Sequence, residues 1–159
     1  MKVVNTVFPR PEQFQEFFGA PDDGPFVMVN LLKFREKAEY PDGSEPELSG
    51  REAYARYGAV VSGLVEALGG RIRYSGAVTG LLLGEVEEMW DAVALAEYPS
   101  LAAFQAMALS PEMHAIEHHR KAGLAGQLNI RTRPAPGFEP LGAHDDQRLW
   151  KPEKANAVN

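Results

Sequence analysis

Residues Phe26 to Phe34 read Phe-Val-Met-Val-Asn-Leu-Leu-Lys-Phe, with apolar side chains at both parities: Phe26, Met28 and Leu32 on one, Val27, Val29 and Leu31 on the other. Successive strand residues point to opposite faces, so such a strand is stable only where both faces of its sheet are covered. One layer of helices covers a single face. The run therefore asks for helices on one side and a second body on the other, and a second copy of the chain, a homodimer, is the economical choice.

The flanking segments supply the rest of the sheet. Phe14, Phe17 and Phe18 recur at helical spacing between Pro11 and Gly19, and the breakers Pro21, Gly24 and Pro25 follow before the apolar run. Arg35 to Leu48 is polar, carries the turn Pro41-Asp42-Gly43, and reads as either a flap or a plain surface excursion. Ser49 and Glu52 have capping-box spacing, and Ala53, Tyr57, Val61, Leu64 and Leu68 repeat helically up to Gly69-Gly70. Arg71 to Leu83 reads as a long strand, Gly84 to Glu88 as an acidic turn, and Met89 to Tyr98 as the hairpin partner. Ser100 opens a short helix, Ser110-Pro111 restarts it as far as Gly123, and Gln127 to Thr132 forms the last strand.

The order is βαββαβ. It predicts an α+β, ferredoxin-like sandwich with a four-stranded antiparallel sheet and helices on one face. The expected divisions are a helical extension over residues 1–24, the ferredoxin-like domain over 25–133, and an irregular tail over 134–159 with Trp150 as a candidate anchor.

Composition narrows the partners. With 159 residues the chain has the length of one hydrophobic core. Its 16 Lys and Arg against 22 Asp and Glu form no basic stripe, which disfavours nucleic acid and anionic lipid as partners. There is no cysteine, hence no thiol nucleophile or disulfide, which fits a cytoplasmic location. The apolar start is broken at Pro9, Arg10 and Pro11, and the longest uncharged apolar stretch, Tyr74 to Gly84, is too short for a bilayer, so neither a leader nor a membrane span is expected. Phosphate loops, dinucleotide glycine motifs, nucleophile elbows and calcium loops are missing from the sequence, which weakens nucleotide-dependent and serine-hydrolase readings.

Chemistry-bearing residues cluster near the end of the second half. His114-Ala115-Ile116-Glu117-His118 has the spacing of a zinc-binding His-x-x-Glu-His helix, but no third ligand is evident and no metal is expected. Helical geometry puts Met113, Ile116, Arg120 and Leu124 on one stripe with His114 and His118 opposite. His119 flanks the stripe and Arg120 lies near its centre. There a guanidinium needs an anion or hydrogen-bond acceptors, so it reads either as an anion holder or as a structural pair. Asn30 interrupts the apolar strand and faces a pocket or is bonded to backbone. Tyr54, Tyr57 and Tyr74 offer phenols to the same layer, and Trp90 heads a run with small Ala92, Ala94 and Ala96, which leaves room for a packed helix or a ligand.

The stretches Phe26 to Phe34, Trp90-Asp91-Ala92-Val93, Glu97-Tyr98-Pro99-Ser100 and His118 to Leu124 resemble the bacterial family known as domain of unknown function thirteen-thirty, across roughly Pro25 to Thr132. That resemblance implies the dimeric α+β barrel superfamily, whose members include cofactor-free monooxygenases, haem-degrading enzymes, isomerases and effector-binding modules of transcription factors. The Arg35 to Leu48 insertion and the tail resemble longer family members. A fold hosting so many chemistries does not choose among them.

The combined expectation is a small-molecule-binding protein. In its enzymatic form it is of cofactor-independent oxygenase, isomerase or cyclase type, acting on an anionic or enolisable substrate. His119 would move a proton, Arg120 would hold an oxyanion, and Asn30, Tyr57, Tyr74 and Trp90 would contact the substrate. The alternative is a non-catalytic binding or interaction module, and metal or haem binding through the helix histidines is a minor third reading.

Overall fold

A computed structural model describes residues 2–135. The chain runs α1 (Pro11–Gly19), β1 (Phe26–Phe34), α2 (Gly50–Ala67), β2 (Arg71–Ala77), β3 (Ala92–Tyr98), α3 (Leu101–Ala108), α4 (Pro111–Gly123) and β4 (Leu124–Thr132). The strands form one sheet in the order β2-β3-β1-β4, antiparallel at every neighbouring pair. This is the ferredoxin-like arrangement, with the two apolar strands β1 and β3 at the centre.

Local chemistry explains most of the boundaries. The Ser49 hydroxyl accepts from Glu52 N at 3.2 Å while the Glu52 carboxylate accepts from Ser49 N at 2.9 Å, which closes the capping box of α2. Ser110 caps α4 through Met113 N at 3.1 Å, ahead of Pro111 at the first helical position. The start of α3 is capped twice, by Ser100 on Ala103 N and by the Asp22 carboxylate on Leu101 N and Ala102 N at 3.1 and 3.0 Å. Those backbone N–H groups hold the Asp22 carboxyl below the usual carboxylate range.

Phe26, Met28 and Leu32 face the helices and are buried. The core around Phe26 and Met28 includes Val65 of α2, Ala96 and Tyr98 of β3, Met107 of α3 and Met113 of α4. Phe17 and Phe18 of α1 pack their rings on Phe104. The other parity of β1 is only half covered: Val29 pairs with Leu95 and Ile130, and Leu31 with Val93 and Leu128, in an apolar face that no described residue layers over. Helices α2 and α4 meet where Gly50 and Gly123 touch. A Cβ on Gly50 would stand 2.5 Å from the Gly123 oxygen, closer than side chains tolerate.

The hairpin differs from its expectation. The strand expected over Arg71 to Leu83 ends at Ala77, and its partner begins at Ala92 rather than Met89. Between them lies a loop closed by Val78 N donating to Asp91 O at 3.0 Å, and its Leu82 is fully exposed. The cause is Asp91, whose N–H donates to Leu32 O and whose carboxylate accepts from Phe34 N at 2.8 Å, so the chain leaves the ladder where β1 itself ends. A register shift between Ile72 and Tyr74 sends Ile72 to the helix side and Tyr74 to the open face beside Leu95. Strand β4 starts earlier than expected, at Leu124, because the shift between Lys33 and Phe34 lets Leu124 pair with Phe34. Trp150 and the tail beyond Ala135 lie outside the described residues. Among the described residues no helix is long and apolar enough to cross a membrane.

Candidate functional site

Polar groups gather in the layer between sheet and helices. Asn30 lies on the helix-facing parity of β1, between Ala94 of β3 and Asn129 of β4. Its amide nitrogen donates to Met28 O at 3.3 Å and Ala94 O at 3.2 Å, so the backbone takes its donors while Oδ1 remains for another group. Gln127 sits opposite Leu32 and is 8% exposed. Its nitrogen donates to Asn129 Oδ1, whereas its own oxygen is buried with no partner among the described residues.

Helix α2 contributes Tyr54 and Tyr57, with ring centroids 5.5 Å apart. Among the described residues the Tyr57 hydroxyl reaches only the Met113 sulfur, at 3.8 Å. Burial pushes both phenols above the usual tyrosine range, and the nearby Arg120 guanidinium partly opposes it. From α4, Arg120 Nη2 donates to Val7 O at 2.8 Å. Among the described residues no carboxylate pairs with this guanidinium. Val7 belongs to an N-terminal arm that runs antiparallel to β4 through the Thr6–Gln127 bridge and packs with Tyr54 on the Leu32 and Leu124 cluster.

His119 looks elsewhere. Its Nδ1 lies 2.7 Å from the Tyr40 hydroxyl, and its ring stands 3.9 Å from that of His118. Burial first, then His118 and Arg56, lower its pKa, against an opposing pull from Glu45. The connection carrying Tyr40 is fastened by Glu39 N donating to Ala122 O at 3.0 Å and by the Glu45–Arg56 ion pair, and it packs Ala38, Tyr40 and Leu48 on Ala53 and Ala122. Adjacent in sequence, His119 and Arg120 thus engage different segments.

The six candidates therefore divide. Asn30, Tyr57 and Arg120 share the sheet–helix layer, and His119 sits under the 35–48 connection. Tyr74 is 55% exposed on the open face, displaced there by the β2 register shift. Trp90 precedes β3 instead of heading it and lines a cleft at the sheet's end, with Nε1 donating to Asn5 Oδ1 at 2.8 Å. His114 is exposed and bonded to its own helix at Ser110 O, and among the described residues no group of three or more His, Asp or Glu is placed to hold a metal. The unpartnered Gln127 oxygen carried no sequence signal, because its burial depends on pairing with β1 and on the N-terminal arm.

The strand order and the helix layer define a ferredoxin-like α+β protein with a polar layer beneath its helices. Within that class the chain belongs to the family described as Domain of unknown function (DUF1330), which matches residues 44–131. It is similar to a protein of unknown function from Rhodopseudomonas palustris, with 37% identity, coverage of 83% of this chain and 98% of that one, and a TM-score of 0.75. The methylated form of that protein matches at 38% identity, 84% and 97% coverage and a TM-score of 0.76. A dimeric ferredoxin-like protein of unknown function from Thermobifida fusca matches at 17% identity, 69% and 90% coverage and a TM-score of 0.44. No curated protein matches the chain.

Proposed function

We propose that the protein binds a small anionic or enolisable compound between sheet and helices, with Arg120 holding its charged oxygen and Asn30 and Tyr57 beside it. The observation that carries this reading is the half-buried guanidinium whose one hydrogen bond among the described residues goes to a backbone carbonyl. A guanidinium has five donors and is costly to bury without an acceptor or an anion. The unpartnered Gln127 oxygen and the weakly bonded Tyr57 hydroxyl add two more polar groups in want of partners.

Thermal-shift measurements against small aliphatic carboxylates and keto acids test it, since a ligand of the native state raises the melting temperature with its concentration. The expected result is stabilisation by some of these anions that is lost in a folded Arg120→Gln variant. Failure of every anion, or equal stabilisation of the variant, refutes the reading. Product analysis of any stabilising compound then separates an enzyme from a binding module.

The open sheet face supports a second proposal, that two copies pack these faces together as a homodimer. Val29, Leu31, Val93, Leu95, Leu128 and Ile130 form a contiguous apolar surface there, of the kind that marks a protein contact.

A further inference from the structure

Where β1 and β2 end and β3 begins, Lys33, Arg51, Met89, Trp90 and Asp91 wall a cleft of about 350 Å³, together with the segment 77–80. This lies within the size range of small-molecule sites. Its two cations differ in kind. Lys33 Nζ is 3.1 Å from Glu88 and 3.5 Å from Asp91 and donates to Met89 O at 3.0 Å, so its single charge faces two carboxylates and it braces the 88–91 wall without a donor to spare for an anion. The second Asp91 oxygen is taken by Phe34 N. Arg51 has no such partner: no carboxylate among the described residues pairs with it, and its guanidinium carbon lies 4.7 Å from the centroid of the Phe34 ring. That ring contact uses none of the guanidinium N–H donors, which remain for a ligand.

The remaining wall is an indole and a thioether. Trp90 is half-buried, and its N–H is bonded to Asn5 of the N-terminal arm. A planar cation beside an aromatic plate, with Lys33 holding Glu88 and Asp91 to the 88–91 wall, offers its N–H donors to a flat anion with an apolar body.

We propose that this cleft is a binding site for aromatic carboxylates, with the carboxylate on Arg51 and the ring against Trp90 and Met89. Its ligand-facing groups differ from those of the Arg120 layer, although the N-terminal arm touches both, through Val7 at Arg120 and Asn5 at Trp90.

The test uses the full chain with Trp150→Phe, which leaves Trp90 as its one indole. Benzoate titration is expected to change Trp90 emission saturably, while benzyl alcohol, of similar shape but neutral, changes it far less. Arg51→Gln should weaken the benzoate effect about tenfold or more, the loss expected when one charge-assisted pair is removed. Lys37→Gln, which removes an exposed cation that lines neither site, should leave it unchanged. If Arg51→Gln melts below wild type, Arg51→Met, which keeps an apolar stem over Phe34, replaces it. The proposal is overturned by the absence of saturation, by equal response to benzyl alcohol, by persistence of binding without Arg51, or by an equal loss on Lys37→Gln, which would make the effect one of net charge alone.

Discussion

Replacing Gly123 by Ala pits two effects of opposite sign against each other. Alanine is the better helix former, and at the last position of α4 that preference contributes at most about 1 kcal/mol in favour of the variant. Against it, the new methyl would strike the Gly50 carbonyl oxygen and stand 2.8 Å from the Tyr54 nitrogen. Both are backbone atoms that no rotamer change removes, and the Gly123 carbonyl is itself pinned by Arg35 N at 2.9 Å. Forcing extra volume into a packed contact costs about 1–3 kcal/mol. Two backbone atoms inside 3.0 Å put this case at the upper end of that range, about 2–3 kcal/mol, so the steric term wins by about 1–2 kcal/mol, or roughly 2–8 °C in melting temperature for a chain of this size. Gly63 in the middle of α2 is the control: it is exposed, a Cβ there meets nothing within 4 Å, and Gly63→Ala should raise stability by up to about 1 kcal/mol. Thermal melts followed by circular dichroism at one protein concentration measure both. A Gly123→Ala protein as stable as wild type would refute the claim that this glycine contact sets the approach of α2 to α4.

Two further outcomes follow from the open face and from His119. Leu95→Glu puts a charge at the centre of the apolar face next to Val29 and Tyr74, and light scattering should show a protein with the mass of two chains become one of 17.5 kDa; a wild type that is already monomeric sinks the dimer proposal. Because the folded protein lowers the His119 pKa, the unfolded chain takes up that proton first as pH falls below about 6.5. Stability from this group is therefore complete above that pH and declines below it until the folded pKa is passed. His119→Asn should flatten the fall in melting temperature between pH 7 and 5, and parallel curves for the two proteins would show that His119 does not contribute to it.

What the sequence determined alone was whatever depends on neighbours along the chain. The two-sided apolarity of Phe26 to Phe34 implied a covered sheet, and Ser49 with Glu52 and Ser110 with Pro111 marked the helix starts, because a cap or a periodicity acts over only a few residues. The tertiary structure decided everything that hangs on register or on distant partners. One shifted residue in β2 moves Tyr74 to the opposite face, since side chains alternate with a period of two. Asp91 ends the hairpin through Phe34, 57 residues away, and so places Trp90 in a cleft rather than in a strand. His119 and Arg120 carry the same helical signal, yet one meets Tyr40 and the other Val7, at separations of 79 and 113 residues. A polar side chain's chemistry is set by the group it meets, and at such separations only the folded chain brings the two together.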